Sequence, residues 1–277
     1  MSVAVLAASG SDLATRVAAR LGAECRVLAL DDARVSIHGD ALRWNGVALD
    51  ELAAFALETP LIPWPQPIAE GRPGEPESDV QRRAIAQRER RALHVSALRI
   101  AAQRKPVAND PTRAADLALS SALALERLSR AGVALREWRV RHAPAAEART
   151  RWSLNAERGL RLAEDEIALD VDAPISETTR HLALGGAWIA SCPGGAAAPS
   201  ALRFDASAGD RELVLRALDA LGLVFGCVHV CNGAVAAVDA AAGLRDWDHA
   251  SDQRVSAALA DWLTRAAHGH LQPCTTP

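Results

Sequence analysis

Cys227-Val-His229-Val-Cys231 sets two thiols and an imidazole at alternate positions. In a strand, where side chains alternate from face to face, all three would share one side. Zinc takes such ligands, but structural zinc sites draw pairs from turns and need a fourth donor. A flat row wraps a tetrahedral ion poorly, so buried core cysteines beside a histidine are the simpler expectation. A second constraint comes from the cations. Lys105 is the single lysine and there is no tyrosine, so any phosphate contact falls to arginine, whose planar guanidinium is an excellent partner for phosphate. A third candidate is Ser9-Gly-Ser-Asp12, after the apolar run Val3 to Ala8. A helix N-terminus can hold phosphate. With one glycine and no G-x-G-x-x-G, however, a plain helix cap is expected.

The elements that must position these residues begin with strand, turn and helix over Val3 to Leu21, then a second apolar strand at Arg26 to Leu30. That order builds a parallel sheet. Ser36 to Leu49 reads as small β-ribbons turning at Gly39-Asp40 and Asn45-Gly46. Thr59 to Ser78, rich in proline and glycine, reads as a surface loop or linker. A long arginine-rich helix is expected over Asp79 to Arg104, its arginines forming a solvated face. An Ala/Leu helix follows over Ala114 to Ala131, and Leu135 to Val140 is strand-like. Arg141 to Glu166 shows only weak periodicity. Gly185-Gly186 and Asn232-Gly233 each join two apolar runs as hairpin turns. Helices are expected over Asp210 to Leu221 and Ser251 to Ala267.

A chain of 277 residues, 49% hydrophobic and 23% charged, has enough apolar side chain for a folded core and suggests two domains. A net charge of −3 disfavours nucleic acid and anionic lipid as partners. No run is long and apolar enough for a membrane span. The five cysteines, Cys25, Cys192, Cys227, Cys231 and Cys274, are scattered and odd in number. Reduced thiols and a cytoplasmic location are therefore expected.

Three blocks carry a family resemblance. Pro106-Val-Ala-Asn-Asp-Pro111, a helix and Leu128-Ser-Arg-Ala-Gly132 form the first, and Thr179-Arg180-His-Leu-Ala-Leu-Gly-Gly186-Ala-Trp-Ile-Ala190 the second. The third runs from Leu221-Gly-Leu-Val-Phe225 through Val228-His229-Val to Val238-Asp239-Ala-Ala-Ala-Gly243-Leu244. In order and spacing the chain resembles the RimK-like branch of the ATP-grasp ligases. The resemblance implies an α/β then α+β architecture. An N-terminal parallel-sheet (pre-ATP-grasp) domain over 1–105 would precede a truncated ATP-grasp-like domain over 106–268, shortened in its middle, with a flexible tail at 269–277.

In that family ATP lies between two small α+β subdomains. Lysines hold its phosphates, and Asp, Glu and Asn ligate Mg²⁺ while an acyl-phosphate forms. The matching metal positions here read His229, Ala237 and Asp239. One carboxylate and an imidazole make a weak metal set, and Mg²⁺, which needs hard oxygen ligands, is doubtful. Ser120 stands at the first nucleotide-binding lysine. The stretch that should bring the second lysine is the unrecognisable Arg141 to Glu166. Arg180 sits at a family-matching position as the first candidate for phosphate, with Arg141, Arg151 and Arg203 behind it.

Two functions from different classes follow. One is a ligase-derived protein with an eroded nucleotide and metal site. It would bind a nucleotide (ATP as candidate), a small molecule or a protein partner, whether another copy of itself or a sister ligase subunit. The other is an active ATP-dependent carboxylate–amine, peptide-type ligase using arginine in place of lysine. A zinc-binding module is the remote third.

Overall fold

The computed structural model describes residues 2–30, 33–39, 41–58, 76–119, 121–143, 166–171, 173, 177–194, 201–240 and 242–270. Contacts divide the chain into two compact units, Met1–Thr112 with Ala260–Pro277, and Arg113–Leu259.

The first unit is organised by β1 (Val3–Ala7), buried at every residue. It lies between β2 (Cys25–Ala29) and β6 (Ala54–Leu57), and β7 (Val107–Ala108) extends the sheet, all pairs being parallel. A strand buried on both faces must be apolar throughout, which is why Val3 to Ala7 carries no alternation. Helix α1 (Asp12–Leu21) buries Leu13, Ala14 and Val17. Its N-cap Ser11 accepts from the Ala14 N–H at 3.2 Å and donates to Glu58 Oε1 at 2.6 Å. The second Glu58 oxygen accepts from the Ala8 N–H at 3.2 Å. The turn is thus filled by the chain's own carboxylate, and it is a cap rather than a phosphate cradle.

The expected ribbons are β3 (Val35–His38), β4 (Ala41–Trp44) and β5 (Val47–Ala48), an antiparallel sheet. Helix α2 (Glu77–Arg104) packs Ala97, Leu98 and Ala101 against Leu42, Trp44, Leu49 and Phe55. Residues 59–75, most of the proline-rich stretch, lie outside the described residues.

In the second unit α3 (Pro111–Leu119) and α4 (Ser121–Arg130) precede an antiparallel sheet. Its strands run in the order β11 (Ala187–Pro193), β10 (Thr179–Leu184), β12 (Phe225–Cys231) and β13 (Ala234–Asp239). Both expected turn pairs lie at hairpin tips in this sheet. All four turn residues take positive φ, from 50° at Asn232 to 82° at Gly186, as type I′ turns demand. Ala183, Val228, Val230 and Val238 turn to one side of the sheet, where Leu117, Leu125 and Leu128 meet Val214, Leu218 and Leu221 of α5 (Ala208–Leu221).

Two elements differ from the sequence reading. β8 (Trp138–Ala143) pairs antiparallel with β9 (Glu166–Val171), so both ends of the Arg141 to Glu166 stretch are strand. The strand-like reading of Leu135 to Val140 thus continues to Ala143, and the partner strand β9 begins at the far end of the unrecognisable stretch. Residues 144–165 lie outside the described residues. A short helix α6 (Leu244–Ala250), a stretch to which the sequence reading assigned no element, also precedes α7 (Arg254–Ala267).

Helix α5 ends at Gly222, left-handed at φ 63° and ψ 35°, its N–H returning to the Asp219 and Leu218 carbonyls. Gly222→Ala imposes a side chain on that conformation, a cost of about 1–2 kcal/mol. Urea unfolding should show a lower midpoint at unchanged slope.

Candidate functional site

The face of the second unit's sheet opposite its helices carries the polar chemistry, and register explains why. Arg180 on β10 pairs with Cys192 on β11 and His229 on β12, which in turn pairs with Ala237 on β13. One step along, Leu182 pairs with Cys227, which pairs with Asp239. Cross-strand partners share a face. With Val228, Val230 and Val238 committed to the helix side, Arg180, Cys192, Cys227, His229 and Asp239 are left together on the other.

Arg180 is the centre of this group. Its Nη2 donates to Asp239 Oδ2 at 3.5 Å, the two side chains being 14% and 28% exposed. Its guanidinium lies over the indole of Trp247 from α6, 5.4 Å from the ring centroid, a cation–π arrangement. Burial works against this charge, but the neighbouring Cys227 sulfur and Asp239 carboxylate outweigh it and hold the Arg180 pKa above its ordinary value. Two buried donors, Arg180 Nε and Trp247 Nε1, have no hydrogen-bond partner among the described residues.

The surrounding groups are neutral. Burial pushes the Cys227 thiol up to about 12, with the Arg180 charge acting in the opposite direction, so no thiolate forms at neutral pH. Burial, then the charges of Arg180 and His181, push His229 down to about 3. The imidazole lies 3.3 Å through Nδ1 from Thr178 Oγ1. Cys231 packs apart, with Ala173 and Ala236.

Several residues singled out from the sequence lie elsewhere. Arg203 pairs through its backbone with Ser191 at the outer edge of the sheet, and its side chain is exposed. His181, which the sequence reading did not single out, faces the helices, where it accepts from Trp188 Nε1 at 3.1 Å and Arg211 covers the same indole. Arg141 belongs to β8 by its backbone. Ser120, Arg151 and Cys274 lie outside the described residues. Trp247, Thr178 and Cys192 were missed. Only the closing Gly243-Leu244 motif pointed towards Trp247, and nothing local marked the other two.

Mg²⁺ is a poor fit to this arrangement. Asp239 already faces a guanidinium, Ala237 has no donor, and His229 is a buried nitrogen where Mg²⁺ asks for oxygen. Among the described residues no group of three or more His, Cys, Asp or Glu side chains could hold a metal ion. No described helix is long and apolar enough to cross a membrane.

No protein-family model matches the sequence, and no curated protein matches it. Solved structures do. The ATP-grasp ligase PsnB, complexed with precursor peptide PsnA2 and AMPPNP, superposes with a TM-score of 0.67 at 17% identity, covering 96% of this chain and 97% of PsnB. The fold is that of the ATP-grasp ligases. The macrocyclase MdnC from Microcystis aeruginosa, bound with precursor peptide MdnA, gives 0.63 at 13% identity over 96% of this chain and 100% of its own. A Chryseobacterium gregarium RiPP-associated ATP-grasp ligase, in complex with ADP and a leader and core peptide, gives 0.62 at 12%, over 95% and 97%. Likeness over nearly the whole of each chain, at such low identity, means that the ATP-grasp fold is kept while side chains differ widely.

The buried neutral His229 has a pH signature. Its folded pKa of about 3 lies below the ordinary 6.5, so the unfolded chain binds the extra proton between those values. Stability is full above pH ~6.5 and falls as pH drops towards ~3. At pH 5 the loss attributable to this one group is about 2 kcal/mol. Denaturant unfolding of His229→Leu and wild type at pH 7 and pH 5 should show a smaller acid loss in the variant; equal losses would mean that His229 is not buried neutral.

Proposed function

We propose that this chain is a RimK-like ATP-grasp protein. It binds a phosphate-bearing ligand, with ATP as candidate, without help from a divalent ion, and serves as a binding or complex-partner protein rather than an ordinary ligase. The observation that carries this reading is the pair of orphan donors around Arg180. A buried N–H without an acceptor costs about 1–3 kcal/mol, and here the guanidinium's own Nε and the indole Nε1 of Trp247, the ring over which it lies, both have none among the described residues. A phosphate or carboxylate oxygen would satisfy both. One guanidinium arm is anchored by Asp239 and the Cys227 sulfur is also within hydrogen-bonding reach, while Nε has no acceptor among the described residues.

The same arrangement argues against ordinary ligase turnover. Phosphoryl transfer depends on positioned charge at the phosphoryl oxygens, and losing one stabilising group often costs about 10²–10³ in rate. Here the metal positions hold His229 and Ala237, and Asp239 is engaged by Arg180. An arginine-based carboxylate–amine ligase is the competing reading. It would release ADP and phosphate in the presence of a suitable acid and amine. PsnB, MdnC and the Chryseobacterium ligase are seen with peptides, which supports a peptide or protein as the partner here.

Calorimetry with ATP tests the reading. Affinity should change less than tenfold, about 1.4 kcal/mol, on adding excess Mg²⁺. Arg180→Ala should weaken ATP by one to two decades, as expected for a charged hydrogen bond of about 1.5–3 kcal/mol. Arg180→Lys, which keeps the charge near Asp239, serves as the folding control. No heat with wild type would remove the nucleotide reading, and a large Mg²⁺-dependent gain would favour the ligase.

A further inference from the structure

Among the described residues, the hairpin of β3 and β4 in the first unit leaves one edge of β3 without a strand partner. The Asn45 N–H donates to the Arg34 carbonyl at 2.8 Å, which fixes the alternation of the ladder. The backbone groups of Arg34, Ser36 and His38 face β4, and those of Val35 and Ile37 face away from it. β3 pairs with β4 alone. An edge of this kind is normally guarded by lysine, proline or a bulge. β3, Val-Ser-Ile-His, has none of the three.

The side chains at this edge look towards α2. Val35 is opposite Trp44 and Ile37 opposite Leu42, and both partners are buried in the core that α2 closes. The His94 ring on α2 lies tilted against Trp44, centroids 5.2 Å apart, and its Nε2 is 3.1 Å from the Ala33 carbonyl oxygen, fixing helix against hairpin. Between them is an open cavity of about 720 Å³, walled by Val35 on one side and by Ala86, Arg90 and Leu93 on the other, with Arg34 and Glu89 also lining it. That volume is within the range of ligand pockets. Three of the five large apolar side chains exposed among the described residues, Ile37, Ile85 and Leu93, belong to β3 and α2. Of these, Leu93 lines the cavity itself.

Charge decides the occupant. Helix α2 carries seven arginines against Glu77, Asp79 and Glu89. Arg34 and Arg90, at the cavity, form no ion pair among the described residues. A second copy pairing edge to edge through β3 would bring one arginine-rich helix towards another, which like-charge repulsion disfavours. We infer that the free edge of β3 beside α2 is a docking site for an extended, acidic peptide segment of a protein partner. The segment adds as a strand: its backbone pairs with Val35 and Ile37, its alternate apolar side chains enter the cavity, and its carboxylates meet Arg34 and Arg90. The inference rests on the partner-binding part of the proposed function and not on the nucleotide part.

The test uses the full chain and a labelled peptide, Asp-Glu-Val-Glu-Ile-Glu-Val-Asp, followed by fluorescence anisotropy, with a control of identical composition in which Val, Ile and Val are adjacent. The alternating peptide should bind saturably, at least tenfold tighter than the control, and more weakly as salt rises. Ile37→Pro removes an outward N–H and should abolish this binding. Should that variant not fold, Arg90→Glu, an exposed helix change, should weaken binding at least tenfold. ATP calorimetry on the same variants should be unchanged, which separates failure at this edge from failure of the nucleotide reading. The inference is overturned by no saturable binding, by equal binding of the two peptides, or by binding indifferent to both variants. Wild-type self-association that Ile37→Pro abolishes would likewise overturn it, since the occupant would then be a second copy.

Discussion

The guanidinium of Arg180, gripped by Asp239 and laid on Trp247, sets the character of the second unit. Few charges are tolerated on so buried a sheet face. A half-buried cation must be matched by an anion and by hydrogen bonds, or it costs more than its neighbours return. Here the anion is Asp239, the carboxylate that would otherwise be the natural metal ligand. Because it neutralises Arg180, Asp239 offers less to an added divalent ion. Burial is the main reason His229 stays unprotonated, and the same positive charge adds to it.

The scaffold makes this possible by segregating faces. Val228, Val230 and Val238 anchor one side of the sheet on α3, α4 and α5, and strand alternation then places Cys227, His229 and Asp239 on the other without further instruction. The hairpin turns fix the register that brings Arg180 level with His229 and Cys192. A slip of one residue would send Arg180 into the helix core. In the first unit the helix N-terminus after β1 is satisfied by Glu58, leaving no vacancy for phosphate at that turn.

How much of this was readable beforehand follows the range of the interactions. The β-turn-α start, the Gly185-Gly186 and Asn232-Gly233 hairpins and the shared face of Cys227, His229 and Cys231 were legible, because turn chemistry and strand period act over a few residues. The β8–β9 pairing was not. Its two strands are far apart in sequence, and no local signal says which distant segment pairs with the strand-like Leu135 to Val140. Trp247 and Thr178 escaped for a related reason. Their importance comes from contacts with Arg180 and His229 made across the fold. Glu58, which meets Ser11 from a distant part of the chain, could not be assigned as the cap partner from local pattern.

The central claim is that Arg180 and Asp239 satisfy each other in place of a metal. Titration with Mn²⁺, a paramagnetic stand-in for Mg²⁺ followed by its electron resonance signal, measures this most directly in wild type and Asp239→Asn. Wild type with ATP should bind Mn²⁺ no more tightly than ATP alone does, and Asp239→Asn should change nothing. A tighter, protein-dependent Mn²⁺ site that disappears in Asp239→Asn would contradict it.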